Sequence, residues 1–94
     1  MVITVKFLGS FRNFSKKDKI TLEIKGHIML KEIFKELGRK LPKLEKVLID
    51  PELDDPRPNA LILVNGKEIS VLKGLETILK EGDEILLIPV IHGG

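Results

Sequence analysis

The sequence predicts an α+β domain in which one helix covers one face of a sheet. Three observations carry this. Met1–Leu8 alternates, with Met1, Ile3, Val5 and Phe7 on one side and Thr4 and Lys6 on the other, which is the period of a half-buried strand. Leu30, Ile33, Phe34, Leu37 and Leu41 recur at spacings of three and four, the stripe of an amphipathic helix. Two further apolar extended runs, Ala60–Val64 and Glu84–Val90, follow it. Sheet and helix each have one oily face, and packing them together satisfies both.

Gly9, Ser10, Asn13, Ser15, Lys16, Lys17 and Asp18 after the first strand form a loop that holds Phe11 and Phe14. A second alternation, Ile20, Leu22 and Ile24 against Thr21, Glu23 and Lys25, makes the two strands a hairpin with a long connection. The helix is expected from about Ile28 to Lys40, with Gly26 and His27 as poor caps before it and Pro42 as its stop. Leu44, Val47, Leu48 and Ile49 form either a short helical turn or an extended piece, followed by an acidic, proline-punctuated loop to Asn59. Asn65–Gly66 between Ala60–Val64 and Lys67–Ile69 is a hairpin turn. Leu72, Leu75, Ile78 and Leu79 cover the sheet edge in a turn-rich segment. In the last strand Ile85 and Leu87 alternate with Leu86 and Ile88, so both faces are apolar, which argues for a central position closed by Pro89. Residues 1–90 are expected as a single domain and 91–94 as a flexible tail.

Composition removes several functions. The chain has 94 residues and no cysteine, so disulfide scaffolds, thiolate metal sites and cysteine nucleophiles are excluded. No apolar stretch is long enough to span a membrane, and no signal-peptide pattern opens the chain, so a cytosolic location is expected. Ser10, Ser15 and Ser70 lack a nucleophile-elbow setting, and His27 and His92 lack relay partners. No phosphate-binding glycine motif occurs. Neither a bound cofactor nor a metal is expected, and the protein is not expected to catalyse a reaction by itself. Absent glutamine, three asparagines and much Ile, Lys and Glu fit a heat-adapted source.

Charge is unevenly placed. Residues 1–49 hold 12 basic and 5 acidic side chains, and residues 50–94 hold 4 and 9. Lys6, Arg12, Lys16, Lys17 and Lys19, with Phe11 and Phe14, are the candidate nucleic-acid patch. The motif of an RNA-reading sheet is missing and the phenylalanines serve equally as loop anchors, so nucleic acid is not an expected partner. A docking surface for an acidic protein, or simple solvation of a small domain, accounts for the same charges.

The end of the sequence carries the remaining chemistry. Gly93–Gly94 is the thinnest peptide possible, with broad backbone freedom. It fits a narrow active site on a partner, and a terminal carboxylate activated as an acyl phosphate ester is open to a sulfur or amine nucleophile. The catalytic machinery then belongs to the partner.

Val5–Lys6–Phe7–Leu8 with Arg12, the helix positions Leu30, Ile33 and Leu37, the turn Val64–Asn65–Gly66, the strand entry Gly82–Asp83–Glu84–Ile85, and Pro89–Val90 with Gly93–Gly94 occur in the order and spacing of one family. Over nearly its whole length the chain resembles the ubiquitin-like sulfur carriers, especially the small subunit of molybdopterin synthase, and more distantly the thiamine-pathway carrier. The resemblance implies a β-grasp fold, a mixed sheet packed on one main helix. It implies that an E1-like activating enzyme uses ATP to adenylate Gly94, that a sulfur donor converts the adenylate to a thiocarboxylate, and that the large synthase subunit receives the tail and passes sulfur to a precursor pterin. Gly93 permits entry, Arg12 positions the tail or the partner, and Pro89, Val90, Ile91 and His92 form the neck. Phe7 and Ile88 beside the neck are interface candidates or core. The neck has one proline where many synthase subunits have two, and the 42–59 loop is long for the family. The same diglycine serves ligation to lysines of target proteins, thiamine synthesis or tRNA thiolation. Tungsten can replace molybdenum in the final cofactor.

Overall fold

The computed structural model describes residues 1–91. β1 (Val2–Phe7) and β2 (Lys19–Glu23) form an antiparallel pair in which Ile3 faces Leu22 and Val5 faces Ile20. Between them Phe11–Ser15 forms a short helix, α1, where the sequence suggests only loop. Two contacts explain it. Phe11 is buried among the core residues, and the Ser15 hydroxyl donates to the Lys17 carbonyl at 2.7 Å. Lys16 then closes the helix in the left-handed region at φ 63°.

The main helix, α2, runs Leu30–Lys40 and buries Leu30, Ile33, Phe34 and Leu37. It starts two residues later than its periodicity suggests, because Ile28–Met29 (β3) is taken into a two-residue antiparallel pairing with Ile78–Leu79 (β6). The missing cap is supplied from inside the helix, where the Glu32 carboxylate accepts from the Met29 N–H at 3.4 Å. Pro42 ends α2 and also opens a further helix, α3 (Pro42–Leu48), at a position where its lack of an N–H is harmless. This settles the ambiguous segment as helical, with Leu44 and Leu48 turned into the core.

β4 (Ala60–Val64) turns back through Asn65 and Gly66, at φ 51° and 83°, into β5 (Lys67–Glu68). Two positive φ values are the signature of the tight turn that matches strand twist. Leu79 is buried, and Leu72 and Leu75 pack partly buried against the core. β7 (Glu84–Pro89) completes a mixed sheet in the order β2-β1-β7-β4-β5, so it is the central strand, parallel to β1 and antiparallel to β4. Ile85 and Leu87 are fully buried under α2; burial on this scale is worth roughly 1.5–3 kcal/mol per side chain. Pro89 is the strand's last residue, opposite Ala60. One mixed sheet carrying one main helix is the β-grasp, a ubiquitin-like α+β fold. Among the described residues no helix is long and apolar enough to cross a membrane.

Candidate functional site

The parallel pairing of β1 and β7 sends both strands to the same end of the molecule, and the C-terminal segment leaves there. The Leu8 N–H donates to the Leu87 carbonyl at 3.1 Å. A Cβ on Gly9 would stand 3.1 Å from Pro89 Cγ, so β1 and the neck are in close approach. On the other side the Val90 N–H donates to the Asn59 carbonyl at 3.0 Å, and Asn59 Nδ2 donates to the Leu48 carbonyl at 3.2 Å. The neck is thereby fixed between the start of α1, the end of α3 and the start of β4. Beyond these bonds Ile91 is 91% exposed.

The second component is the outer face of the sheet, away from α2. In register, Leu61 faces Ile88 and Leu63 faces Leu86. These side chains alternate with the buried Ile62, Ile85 and Leu87, so they point outward. Leu61 and Val90 are each 42% exposed and Leu8 is 40% exposed, while Leu63, Leu86 and Ile88 are half-buried by one another. The result is an apolar platform that begins at the neck. Clustered exposed apolar side chains of this kind mark interaction surfaces.

The sequence-predicted residues divide across this arrangement. Ile88, Pro89, Val90 and Ile91 lie on the platform or the neck. Phe7 does not: it shares the inward phase of Ile3 and Val5, is 1% exposed, and is core with no surface to offer a partner. Arg12 is exposed on α1 and lies 3.7 Å from Asp18. His92, Gly93 and Gly94 lie outside the described residues. Leu8, Leu61, Leu63 and Leu86 join the site although no sequence motif marks them. The signal was present in two neighbouring strands, β4 and β7, that are apolar in both phases.

Elsewhere the polar chemistry is structural. Asp55 accepts from Arg57 Nε and Nη2, and the guanidinium holds the Asp55 carboxyl below its usual range. The Glu68 carboxylate is likewise lowered, chiefly by the Ser70 hydroxyl and then by the Ser70 N–H. A surface groove of about 250 Å³ between α2, α3 and the acidic loop is lined by Lys31, Phe34, Lys35, Glu45 and Asp54 among others, with no nucleophile and base in contact. Among the described residues no group of three His, Cys, Asp or Glu side chains could hold a metal. The arrangement presents an apolar surface beside the departing C-terminal segment.

A β-grasp domain with an apolar outer face leading to its C-terminal segment defines a ubiquitin-like protein of the sulfur-carrier superfamily. Within it the chain belongs to the ThiS family, whose model matches residues 5–94. It is 28% identical to ubiquitin-related modifier 1 of Schizosaccharomyces pombe over 102 aligned positions, covering 100% of both chains. It is 42% identical to a putative sulfur carrier protein of Archaeoglobus fulgidus over 52 residues, covering 54% of this chain and 56% of that one. The solution structure of small archaeal modifier protein 1 from Methanosarcina acetivorans superposes with a TM-score of 0.84 at 28% identity, covering 99% and 96% of the two chains. These likenesses run to modifier and carrier proteins and do not single out the molybdopterin synthase small subunit, so the resemblance holds at the level of the superfamily.

Proposed function

We propose that this chain is a sulfur carrier of the ubiquitin-related modifier type, activated at Gly94. The observation that supports it most is full-length likeness to ubiquitin-related modifier 1 combined with the apolar platform beside the neck. In this reading an E1-like activating enzyme docks on the platform and takes the tail. A Gly94 carboxylate oxygen attacks the α-phosphorus of ATP, and pyrophosphate leaves. A sulfide-level sulfur nucleophile then attacks the carbonyl carbon and AMP leaves, giving a C-terminal thiocarboxylate. A lysine amine attacking the same activated carbonyl gives an isopeptide bond instead, so one activation serves sulfur transfer and protein modification.

The side-chain-free end suits this chemistry, since the reacting carbonyl is uncrowded and the tail fits a narrow channel. ATP is the substrate of the partner, and no cofactor is assigned to this chain. Delivery to precursor pterin through a large synthase subunit is a destination that the same activated end would serve, but the relatives favour the modifier-type carrier.

The test is intact mass after incubation with the activating enzyme, ATP and sulfide. The expected result is a gain of about 16 Da as one terminal oxygen becomes sulfur, absent in a chain lacking Gly94. No gain with an enzyme competent on another carrier, or an equal gain without Gly94, overturns the proposal. Lysine-linked Gly-Gly remnants in trypsin-digested lysate then report the modifier branch.

A further inference from the structure

The uneven charge of the two halves has a definite place in the fold. Arg12 on α1, Lys16 and Lys17 after it, and Lys19 at the start of β2 all belong to the end from which the neck leaves. α3 packs against α1 and carries Lys43 near its start. All five are exposed. Asp18 is the one carboxylate within this set, 3.7 Å from Arg12, and among the described residues the four lysines have no ion-pair partner. The end of α3 is tied to the neck through Asn59, and α1 begins two residues after Gly9, which packs on Pro89, so Arg12 and Lys43 sit on the two helices that flank the neck.

Two local features run against stability. Lys6 and Lys19 are directly opposite across β1 and β2, a like-charge pair that is unfavourable in an antiparallel sheet. Lys16 occupies a left-handed backbone position that favours glycine or asparagine. Local choices that oppose the fold are expected where function sets the residue. The register also ties the charge to the platform. On the outer face Lys19, Lys6, Leu86 and Leu63 follow one another across four adjacent strands. Lys6 turns its ammonium to Glu84 at 2.7 Å, which leaves Lys19 outermost.

We infer that this cationic shoulder docks a carboxylate-rich surface flanking the tail channel of the activating enzyme. A contiguous apolar patch with a charged rim is the anatomy of a protein interface. The shoulder has one exposed aromatic, Phe14 at 39%, while Phe11 is buried, so it lacks the successive stacking platforms of a single-strand nucleic-acid groove. Complementary charge beside a channel speeds encounter and orients the tail before it enters. The inference rests on the proposed activation of Gly94, and the test separates the two.

The experiment compares the full chain with a Lys16→Glu, Lys17→Glu, Lys19→Glu, Lys43→Glu variant, using the activating enzyme with and without ATP. Binding is measured by calorimetry without ATP, and turnover by ATP–pyrophosphate exchange. Kd and KM are expected to rise at least about tenfold with kcat within about twofold. The parent's Kd is expected to weaken steeply between about 50 and 300 mM salt, and the variant's far less. The variant should not unfold more easily, because Lys19→Glu replaces a like-charge pair with Lys6 by an opposite-charge one. A control carrying Lys31→Glu, Lys35→Glu, Lys67→Glu and Lys80→Glu makes the same net change elsewhere and is expected to leave Kd within about twofold.

Equal weakening by both variants, or a parent Kd indifferent to salt, overturns the inference. So does loss of binding to labelled bulk tRNA in the shoulder variant with enzyme affinity unchanged, which would assign the shoulder to RNA. Salt-dependent binding without pyrophosphate exchange would instead overturn activation at Gly94 while leaving the shoulder in place.

Discussion

Asn65 and Asp83 are joined side chain to side chain, Nδ2 donating to Oδ1 at 2.8 Å, while the Asn65 amide oxygen accepts from the Glu84 N–H at 2.9 Å. The hairpin turn between β4 and β5 is thus clasped to the entry of the central strand. Asp83 also accepts from the Lys80 N–H at 2.7 Å through its other oxygen. Asn65 sits at φ 51°, a conformation asparagine tolerates better than most residues. Asn65→Ala therefore removes two hydrogen bonds and adds backbone strain, and is expected to cost about 2–3 kcal/mol in urea unfolding. Asn65→Asp keeps the backbone preference but sets a carboxylate against Asp83, and should recover less than half of the loss at neutral pH. A cost below about 0.5 kcal/mol for the alanine variant would show that the clasp is not structural.

A second prediction concerns the seam between α2 and α3. A Cβ on Gly38 would stand 3.3 Å from Glu45 Cγ and closer still to its carboxyl group. Glu45 is exposed, so its side chain can swing away, while alanine gains about 1 kcal/mol of helix propensity. Gly38→Ala alone is expected within about 1 kcal/mol of the parent, and Gly38→Ala with Glu45→Ala about 1 kcal/mol more stable. Gly38→Leu, whose bulk Glu45 cannot clear, should lose about 2–3 kcal/mol by thermal or urea unfolding. If the double variant is no better than the single, the Glu45 side chain clears the new methyl group at no cost and the seam does not require glycine.

These two sites show why some of the fold is legible in the sequence and some is not. Asn65–Gly66 announces its turn because both residues favour the positive φ the turn needs, and the clasp to Asp83 then follows from the strand order. β7 declares itself central through apolar residues in both phases. The same double phase hides the platform, since alternation alone does not say whether Leu86 and Ile88 meet another layer or solvent. Only the register with Leu61 and Leu63, together with the exposure of Leu61 and Val90 on that face, decides it. α1 is obscured because its five residues hold a single inward aromatic, Phe11, amid Ser, Asn and Arg, which leaves too short a window for helical periodicity. The Phe7 ambiguity has a different origin: its place beside the neck in sequence is real, but its strand phase turns it inward.

The Asp55–Arg57 pair carries a pH prediction. Arg57 lowers the Asp55 carboxyl relative to its unfolded value, first by the side-chain hydrogen bond and then by the Arg57 N–H and charge. A depressed acid stabilises the folded state above the unfolded pKa, near 4, and the contribution disappears as pH falls through the folded value. Arg57→Met is therefore expected to lose about 1 kcal/mol or less near pH 7, because the Arg57 side chain is 55% exposed. That deficit should shrink toward zero below about pH 3. Urea unfolding of both proteins across this range checks it, and a deficit that stays constant with pH would assign the loss to packing of the arginine stem.

The platform gives the functional counterpart of these stability tests. Leu61 is 42% exposed and lies opposite Ile88 in register, at the end of the sheet nearest the neck. A carboxylate placed there stays hydrated, so Leu61→Asp is expected to cost the fold only about 1 kcal/mol, chiefly from lower strand propensity and the lost contact with Ile88. At an enzyme interface the same carboxylate is desolvated against an apolar surface without a partner, and the penalty is larger. In ATP–pyrophosphate exchange with the activating enzyme, KM is expected to rise about tenfold to a hundredfold while kcat holds, because the tail and its carboxylate are untouched. Leu53→Asp, at a 68% exposed apolar position in the loop after α3, is the matched control and should leave KM within about twofold. A Leu61→Asp variant with parental KM would move the docking surface off the outer sheet face and leave the neck and cationic shoulder as the remaining contacts.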